Sequence, residues 1–333
     1  MHRVRHGGRV LAVVCPGQGS QSPGFLRPWL DLPGAMDQLV AFSDASGVDL
    51  VRHGTVSDAE TIRDTAVAQP LIVAASLVSL RALLGDRPAT DLVDVTAGHS
   101  VGELAAAAVA GVLTDEGAVG LVTHRARSMA AAAAQAPTGM AAVVGGDPEA
   151  VLAAVESAGL YPANVNGGGQ VVAAGSRDAL AVLAAAPPAR ARVIPLQVAG
   201  AFHTPFMQPA QEEFAPVAAS WPAEDPALPL LSDADGAVYA AHRGCPFGHG
   251  REVLRRLAEQ VVAPVRWDLC QRTMQEMGVT GFIELAPAGV LTGLARRGLP
   301  GVETLALSSP DDLEAARDLA SRHTARRTEE APQ

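Results

Sequence analysis

Gly98-His99-Ser100-Val101-Gly102 places a serine between two glycines, after a strand-like run (Leu92 to Thr96) and before a helix-like one (Glu103 to Val109). A nucleophile elbow requires that strand–turn–helix context: the glycines let the backbone turn tightly, and the serine hydroxyl stands exposed at the top of a sheet. Val101 would then present its backbone N–H, at the start of the new helix, to an oxyanion developing on a substrate. The same five residues also fit a glycine-rich turn with an incidental serine, so the motif needs a base elsewhere in the chain. Of nine histidines, His203 is the best placed. It lies in the loop Ala199-Gly-Ala-Phe-His-Thr-Pro after a strand, where a side chain can be aimed into a cleft. His2, His6 and His323 lie toward the ends, His99 adjoins the serine and points away from the elbow tip, and nothing around His53 or His124 favours them.

Two other clusters are weaker. His242, Cys245 and His249 offer three ligands in a Gly-Pro-rich stretch with no second pair, so no metal is expected there. The turns Gly17-Gln18-Gly19 and Gly167-Gly168-Gly169 have no Walker lysine and are not phosphate loops.

Patterning supplies the elements that position these groups. Val10 to Cys15 reads as a buried strand entering the loop Pro16-Gly-Gln-Gly-Ser-Gln21. Thr65 to Leu84 has helical spacing, with Gln69-Pro70 expected to break it near its start. Asp115 to Ala134 is a helix capped by Thr114. From Gly139 to Val198 the order is β-α-β-β-α-β, that of a ferredoxin-like unit. After it come a helix through Phe214, a strand at Leu228 to Leu231, a surface insertion at Gly244 to Gly250, helices at Arg251 to Val262 and Arg266 to Met277, a strand at Phe282 to Leu285 and a helix at Val290 to Arg297. The expected division is an N-terminal extension (1–9), a discontinuous large domain (10–136 and 199–320), an inserted small domain (137–198) and a flexible tail (321–333).

The chain of 333 residues is long enough for a full core, and 48% hydrophobic with 18% charged residues is a globular composition. A net charge of −10 argues against nucleic acid as a partner. Apolar runs such as Leu71 to Leu80 are too short to span a bilayer, so no membrane partner is expected. Three distant cysteines fit reduced thiols and a cytoplasmic location. Its basic residues are all arginine, which removes lysine-based catalysis.

Taken with Ala68-Gln-Pro70, Gly98-His-Ser-Val-Gly-Glu103, Arg125, Asn164, Asn166, Ala201-Phe-His203, Gln260, Pro264-Val-Arg-Trp267 and Leu291-Thr-Gly-Leu294, the Pro16–Gln21 loop makes the chain resemble one family. It resembles the malonyl-CoA:acyl carrier protein transacylases and the related acyltransferase domains of polyketide synthases, from about residue 10 to residue 318. The resemblance implies an α/β-hydrolase-like large domain with a parallel sheet core plus the inserted ferredoxin-like small domain. It implies Ser100 as acyl nucleophile, His203 as base held by the backbone carbonyl of Gln260, and an oxyanion hole from Val101 and Gln18. Arg125 would grip the free carboxylate of malonate, Phe202 would exclude an α-methyl branch, and Asn164 and Asn166 would bind substrate. The implied partners are malonyl-CoA and a phosphopantetheinylated acyl carrier protein, with no cofactor, no metal and a monomeric enzyme. An acidic enzyme needs a local basic patch to meet an acidic carrier, and Arg190 with Arg192, Arg255 with Arg256, and Arg296 with Arg297 are candidates.

The elbow leaves rivals. A thioesterase or esterase would need an Asp or Glu orienting His203. A carrier-binding scaffold without turnover would have no use for an intact dyad. The transferase subunit of a malonate decarboxylase, or a trans-acting polyketide loader, would keep the chemistry and change the pathway.

Overall fold

The computed structural model describes residues 9–239 and 249–324. Along them lie nine strands, β1 (Leu11–Cys15), β2 (Val95–Gly98), β3 (Thr138–Gly145), β4 (Tyr161–Gly167), β5 (Gln170–Ser176), β6 (Ala191–Pro195), β7 (Leu230–Leu231), β8 (Gly281–Glu284) and β9 (Glu303–Ala306). Five form a parallel sheet in the order β7-β2-β1-β8-β9, and the other four an antiparallel sheet in the order β4-β5-β3-β6. Every residue of β1, β2, β7 and β8 is buried. That burial on both faces is why these strands read as continuous apolar runs instead of alternating ones.

The parallel sheet places the chemistry at one edge. Strands β1 and β2 run side by side in register, Cys15 opposite Gly98, so the Pro16–Gln21 loop and the elbow leave the sheet together at its carboxyl end. The turn after β2 is too tight for side chains. A Cβ on Gly98 would come within 2.0 Å of the Gly102 carbonyl carbon, and one on Gly102 within 2.2 Å of the Cys15 oxygen. Both neighbours are backbone and cannot move aside, so these two positions require glycine.

The β2 strand starts later than its apolar run. Leu92 and Val93 follow the short 3-10 turn Ala89–Asp91, and the Asp94 carboxylate takes the Leu11 N–H at 2.9 Å. Ladder pairing therefore begins only at Val95, opposite Ala12.

The helix Thr65–Leu84 runs through Pro70 without the expected break. Asp64 caps it, and Pro70 removes a single ladder donor from a helix buried along most of its length, so packing outweighs a local cost of about 3 kcal/mol. By length and composition it could cross a membrane, yet 83% of its most apolar 18-residue stretch is buried inside the protein. The next long helix, Asp115–Ala133, is capped by Thr114 and packs against it, carrying Arg125 inward.

In the antiparallel sheet β3 pairs with both β5 and β6, and β4 pairs with β5. The helices Pro148–Ser157 and Arg177–Ala185 are the crossovers. This sheet is joined to the rest by backbone bonds between Val165 N–H and the Val265 carbonyl (2.8 Å) and between Val265 N–H and the Ala163 carbonyl (2.9 Å).

Other expectations need adjustment. The helix after His203 extends to Ser220, and the structure adds the helices Ala35–Ser46, Leu50–Thr55 and Leu313–Thr324 and the edge strand β9, none of which the apolar pattern signals. His249 and Gly250, assigned to a surface insertion, open the helix His249–Glu259, whereas residues 240–248 lie outside the described residues. Ser321–Thr324, assigned to a flexible tail, form the last turn of the helix Leu313–Thr324. His323 is buried there with Nδ1 2.7 Å from Thr280 Oγ1, and Arg322 Nη2 donates to Glu303 at 2.7 Å. Contacts with a distant strand order that turn, which a polar sequence by itself does not signal.

Candidate active site

Ser100 and His203 share an unusual backbone state. Both lie in the left-handed region, with φ of 55° and 60°. For residues with a side chain this conformation costs about 1–3 kcal/mol and persists only when the surroundings enforce it. Here it turns the two side chains toward each other across 103 residues of sequence, with Ser100 Oγ 2.7 Å from His203 Nε2. On the far side of the ring, Nδ1 lies 3.0 Å from the Gln260 carbonyl. A carbonyl can only accept, so Nδ1 carries the hydrogen and Nε2 is left to accept the serine proton. Burial, then the nearby Arg125 charge, push the His203 pKa down to about 3, so the ring is neutral at physiological pH.

Arg125 is fully buried, unlike an ordinary helix-surface arginine. Its Nη1 donates to Gln69 Oε1 at 2.8 Å, and its Nη2 donates to Ser100 Oγ at 3.2 Å and to Gln260 Oε1 at 3.1 Å. Burial lowers its pKa to about 10, which leaves it charged. The guanidinium therefore stands beside the Ser100 hydroxyl, locked in orientation by two glutamine oxygens.

A cavity opens over Ser100, lined by Gln18, Val101, Asn164, Phe202 and His203 together with the Met129, Met140 and Val172 side chains. Among the described residues, neither the Val101 nor the Gln18 backbone N–H is taken by another protein group. Asn164 Oδ1 is buried without a hydrogen-bond partner, as a group awaiting a ligand donor would be. Asn166 is different. Its Oδ1 lies 2.9 Å from His99 Nε2, its Nδ2 donates to Gln170 at 2.8 Å, and its carbonyl accepts from Gln271 at 2.8 Å. Its Oδ1 ties the antiparallel sheet to the elbow, and its Nδ2 bond lies within that sheet. His99 lines the same cavity, its ring held by Asn166 and against the Trp267 ring.

Residues that sequence reasoning missed lie beneath the elbow. The Ser100 N–H donates to Asp233 Oδ2 at 2.7 Å, and the Asp233 N–H donates to Glu103 Oε1 at 2.9 Å. Glu103 follows the serine closely enough to have been a local signal, but nothing in the turn Ser232-Asp-Ala-Asp-Gly236 distinguishes Asp233 from an ordinary turn aspartate.

Of the His242, Cys245 and His249 group, where no metal is expected, His242 and Cys245 lie outside the described residues, and among those described no group of three metal-ligating side chains occurs. Arg255 and Arg256 are engaged by Glu252, Glu259 and Asp235, so that candidate basic patch is locally neutralised. Arg190, Arg192, Arg296 and Arg297 are exposed.

A strand–elbow–helix serine, a carbonyl-held histidine and a buried arginine meet at one cavity, a set of groups able to carry out acyl transfer. Consistent with this, residues 12–316 match the acyl transferase domain family. The malonyl CoA-acyl carrier protein transacylase of Mycobacterium tuberculosis is 49% identical over 305 residues, spanning 92% of this chain and 98% of that protein. The crystal structure of that organism's MCAT superposes with a TM-score of 0.84 at 48% identity, covering 92% of this chain and 99% of the other. A structure of a type II polyketide synthase acyl-carrier protein in complex with its malonyl-transacylase gives a TM-score of 0.83 at 28% identity, over 93% of this chain and 99% of that one. The chain belongs to the malonyl CoA-acyl carrier protein transacylase family of acyl transferases.

Proposed function

We propose that this enzyme moves a malonyl group from malonyl-CoA to the phosphopantetheine thiol of an acyl carrier protein through a malonyl-serine intermediate. The observation that carries the reading is Arg125, a buried guanidinium 3.2 Å from the nucleophile Oγ. A site for neutral acyl groups would gain nothing from burying that charge, whereas a free carboxylate on the acyl group gives it a bidentate partner.

The steps follow from the geometry. His203 Nε2 takes the Ser100 Oγ proton as Oγ bonds to the thioester carbonyl carbon, and the resulting oxyanion is met by the Val101 and Gln18 amides. Collapse breaks the C–S bond, and the departing CoA thiolate takes the proton from His203. The carrier thiol then enters by the same steps in reverse, giving its proton to His203 and restoring Ser100. Thiolates leave readily, so a carbonyl on Nδ1 suffices where a stronger carboxylate partner would otherwise be needed. Phe202 borders the acyl pocket and excludes an α-branch, and Asn164 Oδ1 accepts a substrate N–H. Asn166 acts by holding His99 and the antiparallel sheet in place. The chemistry needs no cofactor beyond malonyl-CoA as substrate.

The finer architecture is part of this reading. The β4-β5-β3-β6 order with two crossover helices supports a ferredoxin-like insert at 137–198. The elbow at the carboxyl end of the parallel sheet supports an α/β-hydrolase-like large domain, 10–136 with 199–320. The carrier protein docks beside the exposed Arg190–Arg192 and Arg296–Arg297 pairs, and the enzyme is a cytoplasmic monomer. Hydrolysis is the lesser reading, because His203 meets a carbonyl and not the Asp or Glu that a hydrolase was expected to need.

The test is transfer itself. With malonyl-CoA and holo carrier protein, malonyl carrier protein should accumulate much faster than free malonate. Rapid malonate release that carrier protein does not suppress would favour the hydrolase.

The lowered His203 pKa sets a pH dependence. The base works unprotonated, so kcat/KM for malonyl-CoA should stay level from about pH 7 down to about pH 5, below the usual histidine range. A malonyl carboxylate on Arg125 removes part of the repulsion that lowers His203, so the acid limb of kcat should lie above that of kcat/KM. Stopped-assay pH profiles of both parameters check this; an acid limb of kcat/KM at the ordinary histidine pKa would contradict it.

A further inference from the structure

Asp233 is buried completely, Glu103 almost so, and neither is needed by the transfer steps above. Asp233 Oδ2 holds the backbone N–H of the nucleophile itself. Its other oxygen, Oδ1, has no hydrogen-bond partner of its own, nor has Gln260 Nε2, and the Gln260 side chain acts on the Asp233 carboxyl as a nearby donor. Gln260 thus stands between two charges, its Oε1 on Arg125 Nη2 and its amide toward Asp233.

We propose that Asp233 is a positioning residue for malonyl transfer: it fixes the Ser100 amide, and it is the internal counter-charge that competes with the malonyl carboxylate for Arg125. The inference rests on the transfer reading above.

Two consequences of burial support it. Both carboxyls are pushed up, Asp233 to about 7 and Glu103 well above its ordinary value, chiefly by removal from water. Two adjacent buried carboxyls do not both ionise readily, so Glu103 keeps its proton and Asp233 carries the charge when there is one. The other titratable groups acting on the pair are Arg125, Tyr239 after β7 and Cys270 on the helix Trp267–Glu276. Tyr239 and Cys270 are pushed up by burial and stay neutral, leaving Arg125 as the balancing cation. A substrate carboxylate arriving at Arg125 adds a second negative charge to this closed group. The arrival is easiest when Asp233 is protonated and becomes harder as pH rises through its pKa.

The amide contact has its own role. Ser100 is held at positive φ, and its N–H lies next to the Val101 N–H that faces the acyl oxygen. Loss of the Asp233 acceptor frees the elbow to relax, moving Oγ off His203 Nε2.

The test is the pH dependence of kcat and KM for malonyl transfer by wild type, Asp233→Asn and Asp233→Ala between about pH 6 and pH 9. In wild type, KM for malonyl-CoA should rise above about pH 7. Asp233→Asn keeps an acceptor for the Ser100 N–H without charge, so its kcat should stay within about tenfold of wild type and its KM should lose that rise. Asp233→Ala should lower kcat about 100-fold with a much smaller change in KM. A wild-type kcat in Asp233→Ala, or an unaltered KM rise in Asp233→Asn, would overturn the inference. The isosteric Asn variant decides the charge claim even if the Ala variant does not fold. A wild-type enzyme that forms no malonyl-serine would overturn the transfer reading instead, which intact mass measurement distinguishes at the outset.

Discussion

Ser100→Ala should carry no malonyl group after incubation with malonyl-CoA, and its transfer rate should fall by about 10⁵-fold or more. The reason is geometric. Among the described residues, Ser100 Oγ is the hydroxyl that touches His203 Nε2, and the pocket offers no cysteine to replace it. Both described cysteines, Cys15 and Cys270, are buried with their thiol pKa values pushed up, so neither supplies a thiolate. Intact-protein mass spectrometry reads the adduct directly. A malonyl adduct that survives the substitution would place the nucleophile elsewhere.

The second large effect is expected at Arg125. Arg125→Ala should reduce kcat/KM for malonyl-CoA by about 1,000-fold while acetyl-CoA transfer is retained or rises, so selectivity collapses. The substituted enzyme loses a bidentate partner for the carboxylate and leaves Gln69 Oε1 and Gln260 Oε1 without their donor. Rates with malonyl- and acetyl-CoA compared side by side decide the matter; unchanged selectivity would remove the carboxylate clamp. Stability should also suffer. Removing the cation deprives the buried Glu103–Asp233 pair of the nearby positive charge that favours its ionised form. The sign with pH follows from Asp233, whose folded pKa is already raised above its unfolded value and rises further without Arg125. A raised carboxyl pKa contributes stability that is fully present below the unfolded value and lost as pH rises through the folded one. The deficit of Arg125→Ala in urea unfolding should therefore be small in mild acid and grow toward alkaline pH.

Much of this site could be read along the chain, for reasons that differ by residue. The elbow is local: glycines at 98 and 102 are demanded by atoms within a few residues or on the adjacent strand, so the turn writes its own signature. His203 could be favoured only by its loop and by elimination. Arg125 had no local signal at all, since a helix with Arg125 and Arg127 reads as surface, and the family resemblance alone marked it. Asn166 was grouped with Asn164 as a substrate contact, yet the two sit differently on a bulged strand pair, one aimed into the cavity and one bonded to His99. Pro70 misled because a proline signals a helix break only when packing does not hold the helix on both sides.

By itself the sequence determined what depends on neighbours in the chain: the buried strands β1, β2, β7 and β8 of the parallel sheet, the β-α-β-β-α-β order of the insert, the helix capped by Thr114 and the strand–elbow–helix around Ser100. Tertiary structure alone decided which groups meet. It brought His203 to Ser100 from 103 residues away and Asp233 to the Ser100 amide from 133 residues away, and it buried Arg125 among glutamines. Periodicity and turn chemistry are set by bonded geometry over a few residues, so a chain displays them. Burial, the pKa values it shifts and the charge balance of Arg125, Asp233 and Glu103 arise only when distant segments exclude water together.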